Sequence, residues 1–394
     1  MKELELERSE IVQEQVTAAR DQIQEFQAHF VTISGQRFMK FDRLRSHEEC
    51  RRGDELIIYD LVAEVQDAST RGEVFIFFSH QWLGWSEPDP KRIHVKAMQQ
   101  AVRSVCKDLD TPLEKIRVWV DYVSIPQKNH RERALAIASL PTFASVSDYF
   151  IVIAPNATHA DACYPCDSRT YRRRAWCRAE MFACWARNGV SDMYFNTNAG
   201  LKPLVVSDES TRTTVRREAL DVMNGEFKCC RLGHPRGEPC DREALMLPLL
   251  GLYADIYAER HGKHADAYAF IEPLKDSLFP ETFEYVHKGL DGVETTTTQV
   301  LFGDLIAAVE DESARTKDFK PGTNAQRHRF YHIHQHGRTS SRLTDLIRSS
   351  FRRVNVSGVD DKEPAASEEP VTAPPTARRQ LTWRASAPGD YGTI

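Results

Sequence analysis

Glu180 lies in the stretch RAWCRAEMF, residues 174–182, which has helical character. Three and four positions away stand Trp176, Cys177, Ala183 and Cys184, and none is charged. The usual i,i+3 or i,i+4 ion pair of a surface glutamate is therefore missing. On a helix, Trp176, Glu180, Ala183 and Arg187 share a stripe beside an apolar arc of Cys177, Met181 and Cys184. That puts Glu180 at the border of a buried face, where a cleft can reach it. A carboxylate so placed can stabilise positive charge developing on a substrate and hold a hydroxyl or a water. Two plainer roles compete: pairing with an arginine, of which YRRRAWCR supplies several, or capping the backbone N–H groups of a neighbouring loop.

Further polar residues follow apolar runs. EVFIFFSH (73–80) ends on Ser79 and His80, with Trp82 and Trp85 just beyond, and IRVWVD (116–121) ends on Asp121. Ligands of open parallel sheets bind outside the carboxyl ends of the strands. Ser79, His80, Trp82 and Asp121 are therefore candidate binding residues, with Trp176 beside Glu180 on the helix. A tryptophan in the first loop can stack on a cationic ring. The competing roles are packing for the tryptophans, a turn hydrogen bond for Asp121 and strand-end capping for His80. No G-x-G-x-x-G follows a strand and no Walker A motif is present, which leaves a dinucleotide dehydrogenase or a P-loop kinase unsupported.

Cys163-x2-Cys166 and the group Cys229, Cys230, His234 and Cys240 in FKCCRLGHPRGEPC carry metal-ligand residue types. Drawn together, the two groups would make a tetrahedral site. They lie far apart in sequence and the second lacks a C-x2-C, so reduced thiols and no metal are expected. His328, His332, His334 and His336 read as a loop rather than a metal site.

The framework that must position these residues is legible in hydrophobic patterning. Residues 1–70 read as a helical extension whose first helix, with sparse apolar positions such as Ile11, Val16, Ile23 and Phe26, suits a solvated or partner-docking role. From 71 to 210 the apolar β-rich runs EVFIFFSH, IRVWVDYVSIPQ and YFIVIAP alternate with the helical segments RIHVKAMQQAVRSVCKDL and RERALAIASLPTFASVSD, the latter broken at Pro141. Strand, helix, strand, helix, strand predicts a parallel sheet of βαβ units. The segment SRTYRRRAWCRAEMFACWARNG predicts the next helix, closed by Gly189, and DMYFN and KPLVVSD predict the last strands. Residues 211–338 read as mostly helical. Residues 339–394 contain a short basic amphipathic segment (340–354), suited equally to an anionic membrane surface or a partner groove and to packing on its own domain. A Pro-, Ala-, Ser- and acid-rich tail, expected to be disordered, follows it.

The chain has 394 residues, 41% of them hydrophobic, and a formal charge of −5. That balance argues against a general nucleic-acid binder. The N-terminus lacks an apolar signal core, and no apolar run approaches the roughly 20 residues of a spanning helix. A soluble cytoplasmic chain is expected, with its nine cysteines reduced.

FIFFSHQW resembles the first strand and loop of TIR (Toll/interleukin-receptor) domains. VWVDYVSIPQ resembles their second strand and loop, and RAWCRAEMF resembles their Trp-Cys-x-x-Glu helix. VWVDYVSIPQKNHRERALAIASLPTFASVSDYFIVI is also similar to the central motif of fungal heterokaryon-incompatibility domains, which are thought to be distant TIR relatives. The pattern departs from plant-type TIR domains after Ser79, where His80, Gln81 and Trp82 replace an Arg-Gly pair. The resemblance implies a flavodoxin-like α/β fold and an intracellular signalling role. It also implies NAD as a substrate rather than a permanently bound cofactor, cleaved between nicotinamide and ribose with Glu180 as the key carboxylate. Self-association, or association with other TIR-like proteins, is implied too. The same resemblance admits a non-enzymatic interaction module, associating through a loop such as Ile125–Asn129.

Overall fold

The run at 74–80 forms the middle of a seven-stranded sheet in the computed structural model, which describes residues 2–189, 192–204, 221–289 and 291–318. The sheet comprises β1 (Phe30–Ser34), β2 (Leu56–Tyr59), β3 (Val74–His80), β4 (Ile116–Val120), β5 (Tyr149–Ile153), β8 (Met193–Thr197) and β9 (Gly200–Pro203). Two small antiparallel pairs complete the strands: β6 (Ala157–Thr158) with β7 (Pro165–Cys166), and β10 (Thr282–Lys288) with β11 (Glu294–Val300). The sheet order is β2-β1-β4-β3-β5-β8-β9. Its centre, β4-β3-β5-β8, is parallel, while β1, β2 and β9 pair antiparallel at the edges.

Helices α1 (Lys2–Gln24), α2 (Ile93–Leu109), α3 (Leu140–Val146), α4 (Ala175–Asn188) and α5 (Asp241–Ala258) pack around this sheet, with shorter helical turns between them. The pleat of β3 sorts its side chains to alternate faces. Phe75 and Phe77 join one core with residues of α3, α4, α5 and α1. Ile76 and Phe78 join a second core with Val95, Met98, Ala101, Val102 and Val105 of α2. Both faces are covered, which explains why β3 reads as a continuous apolar run.

Strands at 74–80, 116–120, 149–153 and 193–197 and helices at 93–109 and 175–188 fall where the patterning places them. Pro141 sits in the first turn of α3, ending one helix and opening the next, and Gly189 closes α4 with φ 69°. Three expectations are corrected. The extension at 1–70 is not purely helical, because FVTIS and LIIY form β1 and β2 and widen the sheet. The first helix is not a solvated one: Val16, Ala19 and Ile23 are fully buried, and α1 lies against α5 at Gly251. A Cβ at Gly251 would come 2.2 Å from the Ala19 carbonyl oxygen, so only glycine lets the two backbones approach this closely. Residues 282–300, read as helical, form the β10–β11 hairpin, in which Thr295–Thr298 supply four consecutive β-branched side chains.

The His cluster at 328–336, the basic segment at 340–354 and the tail lie outside the described residues, as does most of the expected strand KPLVVSD. Among the described residues, no helix is long and apolar enough to cross a membrane.

Candidate functional site

The carboxyl end of β3 carries two polar side chains in succession, and the pleat sends them opposite ways. Ser79 continues the Phe75–Phe77 face and meets α4. Its hydroxyl donates to the Glu180 carboxylate and contacts the Tyr171 hydroxyl at 2.5 Å. All three residues are buried, Glu180 with 5% of its surface exposed. With Glu180 ionised, the chain of donors runs from Tyr171 through Ser79 to the carboxylate. Burial pushes the Glu180 pKa up to about 8, and the nearby negative charge of Asp121 adds to the rise. The Ser79 hydrogen bond and the Arg174 charge offset part of it. Burial likewise raises the Tyr171 hydroxyl well above its ordinary range.

His80 continues the other face. Its Nε2 lies 2.9 Å from Asp121 Oδ1, and its Nδ1 lies 3.1 Å from Nδ1 of the fully buried His94. Trp82 Nε1 donates to the second Asp121 oxygen at 2.7 Å, and the Tyr122 amide donates to the first at 2.6 Å. The β3–β4 register explains this meeting: Phe78 pairs with Val120, so Asp121 emerges level with the end of β3. With both imidazoles neutral, His94 donates to His80 and His80 donates to Asp121. His94 Nε2 then stays buried without a hydrogen-bond partner. Burial accordingly pulls the His94 pKa well below its ordinary value, with His80 adding to the effect.

The six candidates therefore fall into separate groups. Ser79 and Glu180 meet on one face; His80, Asp121 and Trp82 meet on the other. Trp176 joins neither: its indole donates to Asp241 at the start of α5, 3.1 Å away. Glu180 is also deeper than the helical stripe predicts, because α4 is covered on nearly every side, with ten of its residues buried. Tyr171 and His94 escaped the sequence reading. His94 had a signal, standing four residues before Met98 on the buried stripe of α2.

Residues 81–92 roof this strand end. The Leu83 amide donates to the Pro88 carbonyl, the Leu83 carbonyl accepts from the Ala160 amide, and the Trp85 amide donates to Asp161. The half-buried Trp85 ring carries the Lys228 ammonium 4.6 Å from its centroid, so this tryptophan already hosts a cation on its face. A cavity of 440 Å³ lined by Val65, Ser145, Asp148, Arg187 and Asp255 lies elsewhere, at the amino end of the parallel strands where Asp148 precedes β5.

Among the described residues, one group of side chains could hold a metal. Cys229, Cys230, His234 and Cys240 place one ligand atom each within 4.8 Å of one another. Cys163 and Cys166 are not part of this set: the second group is complete without them, and residue spacing alone did not show that.

The chain matches no protein-family model, no curated protein and no solved structure.

Proposed function

We propose that the chain is a TIR-like signalling protein with a flavodoxin-like core that hydrolyses NAD at the nicotinamide–ribose bond, with Glu180 as its catalytic carboxylate. The supporting observation is the seat of Glu180: a buried carboxylate bonded to Ser79 at the carboxyl end of the first parallel strand. Counted among the parallel strands alone, the order is second, first, third, fourth, so the reversal point lies beside that strand end, where ligands of such sheets bind.

Nicotinamide in NAD is a cationic pyridinium. When the C1′–N bond breaks, the electron pair stays on nitrogen and neutral nicotinamide leaves without a general acid. Positive charge develops on the ribose, as in glycoside hydrolysis. Ionised Glu180 stabilises that charge. Water then bonds to C1′ and gives its proton to the carboxylate, leaving ADP-ribose. Without substrate, burial favours the protonated acid. A pyridinium beside it favours ionisation, because an opposite charge lowers a carboxylate pKa. In this reading a tryptophan of the first loop stacks on the pyridinium; Trp85, whose ring already carries the Lys228 ammonium, is one that can.

The test is NAD consumption by the purified chain beside Glu180→Gln and Glu180→Ala. Both substitutions are expected to lower turnover by at least about a hundredfold. Equal turnover in all three would remove Glu180 as the catalyst.

A second reading is favoured by the satisfaction of Glu180 within the closed network of Ser79 and Tyr171. In it the network specifies the fold, and the chain is a non-enzymatic module that self-associates or binds other TIR-like proteins. The loop Ile125–Asn129 is held in shape for such contact by Glu48, which accepts from the Gln127 and Lys128 amides at 2.8 Å each. Wild-type protein that consumes no NAD under crowded, oligomerising conditions would select this reading.

A further inference from the structure

We propose that Cys229, Cys230, His234 and Cys240 bind one zinc ion in a closed structural site that ties the β10–β11 hairpin to α5. Tetrahedral zinc with Zn–S bonds near 2.3 Å separates its sulfurs by about 3.8 Å. Here the sulfurs stand 3.9 Å (Cys229–Cys230), 3.9 Å (Cys229–Cys240) and 3.4 Å (Cys230–Cys240) apart. His234 supplies the fourth corner. Its Nδ1 donates to the Val286 carbonyl at 2.8 Å, which fixes the tautomer with the lone pair on Nε2. That Nε2 is buried and makes no hydrogen bond, although His234 is only 1% exposed. A buried acceptor left open beside three sulfurs suits a metal ligand.

The surroundings answer the charge. Three thiolates with one Zn²⁺ carry a net −1. The Arg242 guanidinium lies 2.8 Å from Cys230 Sγ, and the Asp241 amide donates to Cys229 Sγ at 3.4 Å. Cys240 sits at the amino end of the 18-residue helix α5, where the helix field favours a thiolate. The backbone is bent to complete the set: His234 has φ 44°, a left-handed conformation uncommon outside glycine. Four protein ligands leave no open position, so the site is structural rather than catalytic. A two-stranded hairpin is marginal alone. This one is bound along β10, up to its turn, by Lys288 to Gly233, His287 to His234 and Tyr285 to Glu238, all in the ligand-bearing loop.

The full chain, purified without chelator after expression with added zinc, is analysed for metal by plasma mass spectrometry. About one zinc per chain is expected. Cys240→Ser and His234→Ala should lose it, while Cys163→Ser and Cys166→Ser keep it. Cobalt(II) substitution guards against a variant that merely misfolds. The wild type should show thiolate-to-cobalt charge transfer and tetrahedral d–d bands, and His234→Cys should keep the metal with bands shifted as nitrogen is replaced by sulfur. Zinc-free wild type would overturn the proposal. So would undiminished zinc in Cys240→Ser, or a Cys230–Cys240 disulfide in metal-free protein.

Discussion

Glu180→Gln separates the chemistry of this carboxylate from its contribution to stability. Glutamine keeps the shape and can still bond to Ser79, but it cannot ionise. In the folded chain Glu180 titrates at about 8 against an ordinary 4.5, because burial disfavours the charged form. The folded state therefore holds a proton that the unfolded state releases, and stability must fall as pH rises across that interval. The contribution is fully present below 4.5 and is lost by about pH 8. At about 1.4 kcal/mol for each pH unit, the gap amounts to about 5 kcal/mol of pH-dependent stability. Glu180→Gln carries none of it. Urea unfolding of both proteins at pH 5, 7 and 9 measures the difference. Relative to the variant, the wild type should lose several kcal/mol between pH 5 and 9. Parallel curves would mean that Glu180 is not held protonated in the folded chain, and the account of its burial would fail.

Trp82→Phe removes the indole donor from the buried Asp121 carboxylate and should cost about 1–3 kcal/mol in urea unfolding; an unchanged midpoint would show that this bond carries no net stability. Gly251→Ala drives a methyl into the Ala19 carbonyl, separating α1 from α5, and should cost about 1–3 kcal/mol and admit protease to α1. Chelator treatment should lower the melting temperature of the wild type and leave Cys240→Ser unaffected; equal melting with and without chelator would count against a structural metal. Loss of the metal should also expose residues 233–300 to proteolysis first, since the hairpin is bound through the ligand-bearing loop.

Residues 74–80, 116–120 and 149–153 could be read as buried parallel strands because both faces of each are covered, and double coverage leaves an uninterrupted apolar run in the sequence. The α2 and α4 helices were legible for a related reason, as their periodicity and end signals are local. The edge strands were not. FVTIS and LIIY are four or five residues long, and only pairing with β4 and with each other makes them strands. The β10–β11 hairpin was missed because side chains exposed on a ribbon need show no alternation.

The sequence by itself determined that polar residues end the central strands and that Glu180 has no cation at helical spacing, since both are properties of adjacent positions. Only the tertiary structure decided who meets whom. The pleat of β3 turns the neighbours Ser79 and His80 to opposite faces, giving one to Glu180 and Tyr171 and the other to Asp121 and His94. The Cys–His set shows the same division: its residue types are plain in the chain, but His234 joins the three sulfurs because a left-handed backbone and a strand carbonyl, at Val286, aim its ring there. Long-range packing sets such distances, and residue spacing does not carry them.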